Sequence, residues 1–541
     1  MNQRHLVLQP IIVSTSVVTL SIGCVTDKQI EKQTGTTPPL EIHSCLYVKQ
    51  ESIFCDENTP LSYVERSAEY GLTLTETIDT VGISTPLLLH DFNTDGYPDL
   101  LMYNINGQID HYQGRSGYFE HVSQIQTNST AVSFALLDFN HDGVLDVVYS
   151  TDTVLVLYAN VQGTLEFHSM VPFGGAPTNH GISPWYINDD YYLDLYIGGV
   201  GHHNPDQIIL ATEEGFSEPT FALNIFGAQG MNFLSLPIDI NDDNKAEMYI
   251  VNDFLPPPAE PQNPDDISEG STIFNISPEY KVDNEFAEDC FCTLEIPGMG
   301  ASQADYNLDG NYDLFITASF GNYLLTGDAH NSFVDTSIQS GISSGLNNRR
   351  MWWGTSWTDF NNDTLPDIIS VGGDFYKAFE MAPTESFEID LFIQQPDHTF
   401  VKTDVGLHDR THRYNRGVIT WDFNHDGVQD ILISTVAEAP KLYISEGCTT
   451  NNWVRIETVE GATVEITVQN QTYKKFVSSV TGVYATVTPH AYFGLGDATE
   501  IKKIQIDFQN GTQSAVFDGP FPINTVLKHT IHTDDCLLET E

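Results

Sequence analysis

Short apolar runs alternate with acidic, glycine-containing turns from about residue 84 to 447. Pro86-Leu87-Leu88-Leu89 and Val132-Ser133-Phe134-Ala135-Leu136-Leu137 precede such turns, and Val147-Val148-Tyr149, Leu314-Phe315-Ile316 and Ile431-Leu432-Ile433 follow them. The runs predict strands of about five residues, with each acidic turn as the connection between two strands. Beyond Asp430 the turns stop, and short alternating segments at 453–457, 462–468 and 503–508 predict a different, smaller β unit.

The turns are copies of one motif. Intact copies read Asp91-Phe-Asn93-Thr-Asp95-Gly96-Tyr-Pro-Asp99, Asp138-Phe-Asn140-His-Asp142-Gly143-Val-Leu-Asp146, Asp305-Tyr-Asn307-Leu-Asp309-Gly310-Asn-Tyr-Asp313 and Asp422-Phe-Asn424-His-Asp426-Gly427-Val-Gln-Asp430. Weaker copies begin at Tyr186, Asp239 and Asp359, and successive starts lie about 47 to 66 residues apart, a blade-sized period. The second position is always apolar or aromatic (Phe92, Phe139, Ile187, Ile240, Tyr306, Phe360, Phe423), which predicts a side chain pointing into the core and fixing the loop.

The spacing carries chemistry. Oxygens at positions 1, 3 and 5 converge when the chain wraps tightly. A carbonyl at position 7 and a carboxylate at position 9 complete a hard-oxygen cage suited to Ca²⁺. Glycine at position 6 permits the positive φ of the turn. The acid falls at position 9 instead of 12 and no amphipathic helices flank it, which excludes an EF-hand. The candidate ligands are Asp91, Asn93, Asp95 and Asp99; Asp138, Asn140, Asp142 and Asp146; Asp305, Asn307, Asp309 and Asp313; and Asp422, Asn424, Asp426 and Asp430. Asp359, Asn361, Asp363 and Asp367 keep every ligand type, with Thr364 in place of glycine. Asp239, Asn241, Asp243 and Glu247 end on a longer carboxylate, and Asn244 is able to take the left-handed turn. The third copy has Tyr186 at position 1 and Tyr191 at position 6 beside Asn188, Asp190 and Asp194, which predicts a blade with a weak or empty site. Four to six Ca²⁺ ions are expected.

Charge extends this picture. The chain has 541 residues, with 74 Asp and Glu against 22 Lys and Arg, a formal charge of −52. Such a surface repels phosphate backbones, which excludes nucleic-acid partners. Six Ca²⁺ ions would return about 12 charges and leave close to 40, read as a solvated surface suited to a salty medium. At the N-terminus, Arg4 and His5 precede an apolar run from Leu6 to Leu20, then Ser21-Ile22-Gly23-Cys24. This predicts an export signal over 1–23 and a lipid anchor on Cys24, the one expected link to a membrane, or else simple secretion. The remaining six cysteines suit an exported protein. Pairings Cys45–Cys55 and Cys448–Cys536 are expected, with Cys290 and Cys292 either bridged or free.

Strand–acidic loop–strand units in seven copies resemble the FG-GAP/VCBS repeats of integrin α-chain propellers and bacterial surface proteins. Val251-Asn252-Asp253-Phe254 and Asn331-Ser332-Phe333-Val334-Asp335 add to the likeness. His490-Ala-Tyr492-Phe493-Gly494-Leu495-Gly496 and Phe508-Gln-Asn-Gly511 resemble the ASPIC/UnbV domain that follows such propellers in bacterial proteins similar to the cartilage acidic protein. Relatives open that domain on Gly-Ala-Arg, whereas this chain has Gly461-Ala462-Thr463. The resemblance implies an all-β chain: a seven-bladed β-propeller over 61–447 and a small β-sandwich-like domain over 448–536. A tether over 24–60 precedes them and a tail over 537–541 follows.

Other constellations carry less. His408 and His412, the His202-His203 pair, and the Arg349-Arg350-Met351-Trp352-Trp353 cluster suit a polar loop, a weak metal site or a blade core with flanking Arg. The proline-rich segment from Leu255 to about Asp289 reads as a surface excursion. No nucleophile or catalytic fingerprint is present in the sequence. The expectation is a non-catalytic surface module for a protein or glycan, with Ca²⁺ as staple. Two alternatives stand beside it: a hydrolase with its site in the central channel, and a calcium-dependent carbohydrate binder.

Overall fold

A computed structural model describes residues 20–27, 42–49, 58–73, 85–104, 106–127, 131–151, 153–172, 181–188, 190, 192–199, 206–213, 215–216, 220–221, 231–253, 272–276, 282–283, 297–319, 321–342, 351–373, 389–407, 415–436, 439–447, 449–509 and 514–532. Their architecture is all-β and propeller-like. In the first sheet Leu87–His90, Asp99–Tyr103, Gln108–Arg115 and Tyr118–Gln126 form an antiparallel meander. Six more four-stranded antiparallel sheets follow among the described residues, opened by Ser133–Leu137, Ile182–Trp185, Met231–Ile238, Gly298–Ala304, Trp352–Thr358 and Asn415–Trp421.

Burial explains the apolar runs in the opening strands. Both faces of each sheet are covered by its neighbours, so Ser133–Leu137 and Trp352–Thr358 are buried at every position. Outer strands such as Thr164–Pro172 face solvent and are buried at no position, so polar and apolar residues alternate freely there. Clusters of buried side chains join sheet one to two (Leu88, Phe134), two to three (Ala135, Ile182), five to six (Phe315, Trp357) and six to seven (Ile369, Ile431). A larger cluster spans sheets three to five, and Leu87 and Leu89 meet Trp421 and Leu432 to bring sheet seven back to sheet one. The last sheet takes its outer strand from the N-terminal side, where Tyr63–Glu65 pairs with Lys441–Ser445.

Three features differ from the sequence expectations. Thr272–Ile276 and Val282–Asp283, within the segment read as a surface excursion, form the outer half of the fourth sheet. Residues 42–49, read as tether, form the strand Ile42–Lys49, which pairs antiparallel with Thr525–His532. Leu20–Asp27 adds to its other edge with Cys24 opposite Cys45, so processing before Cys24 would leave only the second half of that strand. These strands extend a sheet containing Asn452–Glu457 and His490–Gly496, which packs on a second sheet, Gln471–Phe476 to Ser514–Phe521, through Val464, Ile466, Ile504 and Phe493. Cys55, Cys290, Cys292, Cys448 and Cys536, the pairs His202/His203, His408/His412 and Arg349/Arg350, and the remainder of 255–289 lie outside the described residues.

The two units share strands. A hairpin of the C-terminal unit, Val480–Gly482 and Ala485–Val487, lays Ala485, Thr486 and Val487 parallel to Leu87, Leu88 and Leu89. Its tip residues, Val483 and Tyr484, are buried against Phe233, Met299 and Trp353 from the opening strands of sheets four, five and six. The Thr486 hydroxyl donates to the Phe134 carbonyl of sheet two (2.9 Å). A Cβ on Gly417 would stand 2.8 Å from the Tyr484 carbonyl, so only glycine lets the strand opening sheet seven pass the hairpin. The hairpin therefore occupies the axis around which the sheets are arranged, and the boundary expected at 447/448 is not a separation between independent cores.

Candidate metal centres

Each acidic turn joins the first and second strands of its sheet. The second-position residue is buried in all seven, from Phe360 at 0% to Ile240 at 7% exposure. The loops beginning at Asp91, Asp138, Asp239, Asp305, Asp359 and Asp422 share one hydrogen-bond pattern. In the first, the Asp95 amide donates to Asp91 Oδ1 (3.1 Å) and Asn93 Oδ1 (3.0 Å), the Gly96 amide to Asp91 Oδ2 (2.8 Å), and the Tyr97 amide to Asp95 Oδ1 (3.0 Å). In the seventh, the Asp426, Gly427 and Val428 amides repeat these bonds on Asp422, Asn424 and Asp426. Position 6 has positive φ, at Gly96, Gly143, Asn244, Gly310, Thr364 and Gly427. Position 4 does too, at Thr94, His141, Asp242, Leu308, Asn362 and His425. That second left-handed residue was not legible, because side chains of every kind occupy it.

Position 9 does more than the spacing predicted. Asp99, Asp146, Asp194, Glu247, Asp313, Asp367 and Asp430 are buried to 1% exposure or less. Asp99 Oδ2 accepts from the Phe92 amide at position 2 (3.1 Å), and Oδ1 from the Gly114 amide on the third strand (2.8 Å). Asp313, Asp367 and Asp430 repeat both bonds, the second to Gly327, Gln394 and Ser445. This carboxylate clips the loop to the blade. Asp194 does so as well, accepting from Ile187 (3.1 Å) and Ala211 (2.7 Å), although Tyr186 has replaced the acid at position 1. The clip therefore accounts for that acid without a cation.

Burial without a counter-ion is costly for these groups. Desolvation pushes Asp99, Asp146, Asp194 and Asp422 up to about 7 and Glu247 to about 8; neighbouring loop carboxylates push in the same direction. Asp313, Asp359, Asp367 and Asp430 are raised well above the carboxylate range for the same reasons. None of the seven position-9 acids has an ion-pair partner among the described residues, and Asp146 Oδ2 is buried with no hydrogen-bond partner. Such groups hold a proton or a cation.

The donor set fits a hard divalent ion, with one qualification from geometry. Among the described residues, no three His, Cys, Asp or Glu side chains stand at chelating distance. Each loop's set includes an Asn amide and a main-chain carbonyl, and its carboxylate oxygens lie on backbone amides. An oxygen accepting one amide retains a lone pair for an ion. Asp91, Asn93, Asp95 and Asp99, and their counterparts in the other five loops, would hold Ca²⁺, which would supply the positive charge that the buried carboxylates lack.

The C-terminal unit lies over loops four to seven, a feature no sequence motif signalled. The Tyr492 hydroxyl, with one proton to donate, stands within hydrogen-bond distance of both Asn362 Oδ1 (2.6 Å) and the Gly427 carbonyl (2.9 Å), bridging loops six and seven. Lys474 pairs with Asp242 of loop four, its ammonium 4.7 Å from the Tyr312 ring centre. Arg455 stacks on Trp421, 4.1 Å from the ring centre. Loop one instead has Arg115 on its Asp95 carboxylate (3.0 Å).

Residues 91–149 match the FG-GAP-like repeat family, and residues 457–531 match the ASPIC and UnbV family. The chain thus carries an FG-GAP-like repeat followed by an ASPIC/UnbV domain. No curated protein matches it. Similar solved structures include BBS1N in complex with ARL6DN (8% identity, 69% of this chain and 96% of that one, TM-score 0.44). An Agrocybe aegerita lectin, described by its recognition of non-reducing terminal N-acetylglucosamine, has 13% identity over 61% of this chain and 82% of its own (TM-score 0.39). Saccharomyces cerevisiae Sqt1 has 9% identity over 72% and 99% (TM-score 0.39).

Proposed function

We propose that this chain is an exported, calcium-loaded, seven-bladed propeller that acts as a non-catalytic surface module binding a protein or glycan. The observation that carries the reading is the sixfold recurrence of one loop whose buried position-9 acid has no ion-pair partner among the described residues. Calcium serves as a staple in this reading, joining each loop to a strand pair already fastened by the position-9 clip. Burial of Val483 and Tyr484 among the opening strands of sheets four to six supports a binding module over a hydrolase with its site in a central channel. Anchoring through a lipid on Cys24, which stands in the edge strand Leu20–Asp27, completes the proposal and would hold the C-terminal unit beside the membrane.

Calcium stoichiometry by equilibrium dialysis, combined with melting in chelator and in Ca²⁺, tests the metal part. Four to six bound ions are expected. Each site held at about 100-fold above its Kd adds about 2.7 kcal/mol, so readdition of Ca²⁺ should raise the melting midpoint strongly. A midpoint indifferent to chelation would sink the staple. For the binding role, immobilised protein is offered glycans and envelope proteins with and without Ca²⁺. Turnover of an offered polymer would replace the binding module with the enzyme.

A further inference from the structure

We infer that cation occupancy of loops six and seven and seating of the C-terminal unit are coupled, each strengthening the other; this rests on the calcium reading above. The C-terminal unit touches these loops through groups whose positions depend on loop closure. Thr449 Oγ1 (3.3 Å) and Asn451 Nδ2 (3.0 Å) donate to the Asn361 carbonyl, and the Gly496 amide to the Asn362 carbonyl (2.9 Å). Asn362 Nδ2 donates to the Gly427 carbonyl (2.8 Å), and Tyr492 spans both loops at that point. Gly494 lies against the first ligand of loop six: a Cβ there would overlap Asp359 Oδ2 and stand 2.6 Å from Asn362 Cα. In loop seven a Cβ on Gly427 would overlap the Trp453 indole.

Without a cation, the loop carboxylates repel one another whenever they ionise, which loosens the hold of Asn361, Asn362 and Gly427 on the groups that dock on them. With a cation the closed loop presents those groups in place. Loops one and two differ: Asp95, Asp142 and Gly143 face solvent, and a Cβ on Gly143 would meet nothing within 4 Å. Coupling is reciprocal in free energy, so weakening the docking must weaken cation affinity at the docked loops alone. Tyr492 and Gly494 are positioning residues in this scheme; neither supplies a ligand.

Hydrogen exchange of the full chain as a function of Ca²⁺ concentration reads each loop separately through the midpoint of its protection. In the wild type, chelation should raise exchange in the segment His490–Gly496 as well as in the loops. Tyr492→Phe should move the midpoints of loops six and seven to about 5-fold higher Ca²⁺ and leave those of loops one and two unchanged. Gly494→Ala should move loop six further. Tyr492→Phe removes only a hydroxyl, so the test survives if Gly494→Ala does not fold. Calcium binding with midpoints that shift equally in all loops, or in none, overturns the coupling. Absence of a calcium-dependent midpoint in every wild-type loop overturns the calcium reading itself, and the coupling with it.

Discussion

Loops two and seven begin with the same seven residues, Asp-Phe-Asn-His-Asp-Gly-Val, at 138–144 and 422–428, yet they occupy opposite environments. Val144 is 40% exposed and Val428 1%. Asp138 is half-buried and raised by desolvation, whereas Asp422 is buried and pushed to about 7, mainly by desolvation and then by Asp426. Gly143 is open to solvent, while Gly427 carries Trp453 on its Cα and Tyr492 on its carbonyl. The internal hydrogen bonds are the same in both, because the heptapeptide dictates them. Local sequence makes the loop, and its neighbours decide how deeply its acids are buried.

That contrast can be broken most forcefully at position 1. Asp422→Ala should cost about 3 kcal/mol in urea unfolding with Ca²⁺, since it strands the amides of Asp426 and Gly427 away from water, against about 1 kcal/mol for Asp138→Ala. Equal losses would mean that the covering domain adds nothing. A glycine pair sharpens the same point. Gly143→Ala should cost about 1 kcal/mol for a left-handed alanine, whereas Gly427→Ala adds an overlap with Trp453 and should cost about 3 kcal/mol.

Protons offer a gentler probe. Asp422 and Asp430 have folded pKa values above the ordinary carboxylate range, so the calcium-free native state binds more protons than the unfolded chain. Its stability should therefore fall as pH rises from about 4 to about 7, with the penalty absent below that window and complete above it for Asp422. Saturating Ca²⁺ should remove the fall, and melting scans across pH with and without chelator measure it. Stability that rises with pH in chelator would contradict the burial argument. The smallest effect is expected at Thr364, a β-branched residue held at φ 82° in loop six. Thr364→Gly should stabilise the protein by about 1 kcal/mol and leave calcium stoichiometry unchanged.

Much of this molecule could be read along the chain. Strands flanking the turns, the buried second position from Phe92 to Phe423, and the left-handed position 6 all follow from residues within about ten of one another. The position-9 acid was legible as a necessity and less so in its role. Asp194 keeps its clip in a loop that has lost Asp at position 1, and nothing local distinguishes a clip from a ligand. Position 4 gave no sign, because its conformation is imposed by the turn on residues as different as Leu308 and Asn362.

Sequence by itself therefore determined the repeating unit, since a tight turn, its amide bonds and its flanking strands are short-range physics. Tertiary structure alone decided which loops are covered, that Val483 and Tyr484 fill the axis, and that Tyr63–Glu65 completes the last sheet. Those outcomes join residues tens to hundreds of positions apart, through packing and strand pairing that leave no periodic trace in the chain. The −52 charge is common to all the loops, but whether a given carboxylate meets water, an amide or a neighbouring domain is settled only once the fold has closed.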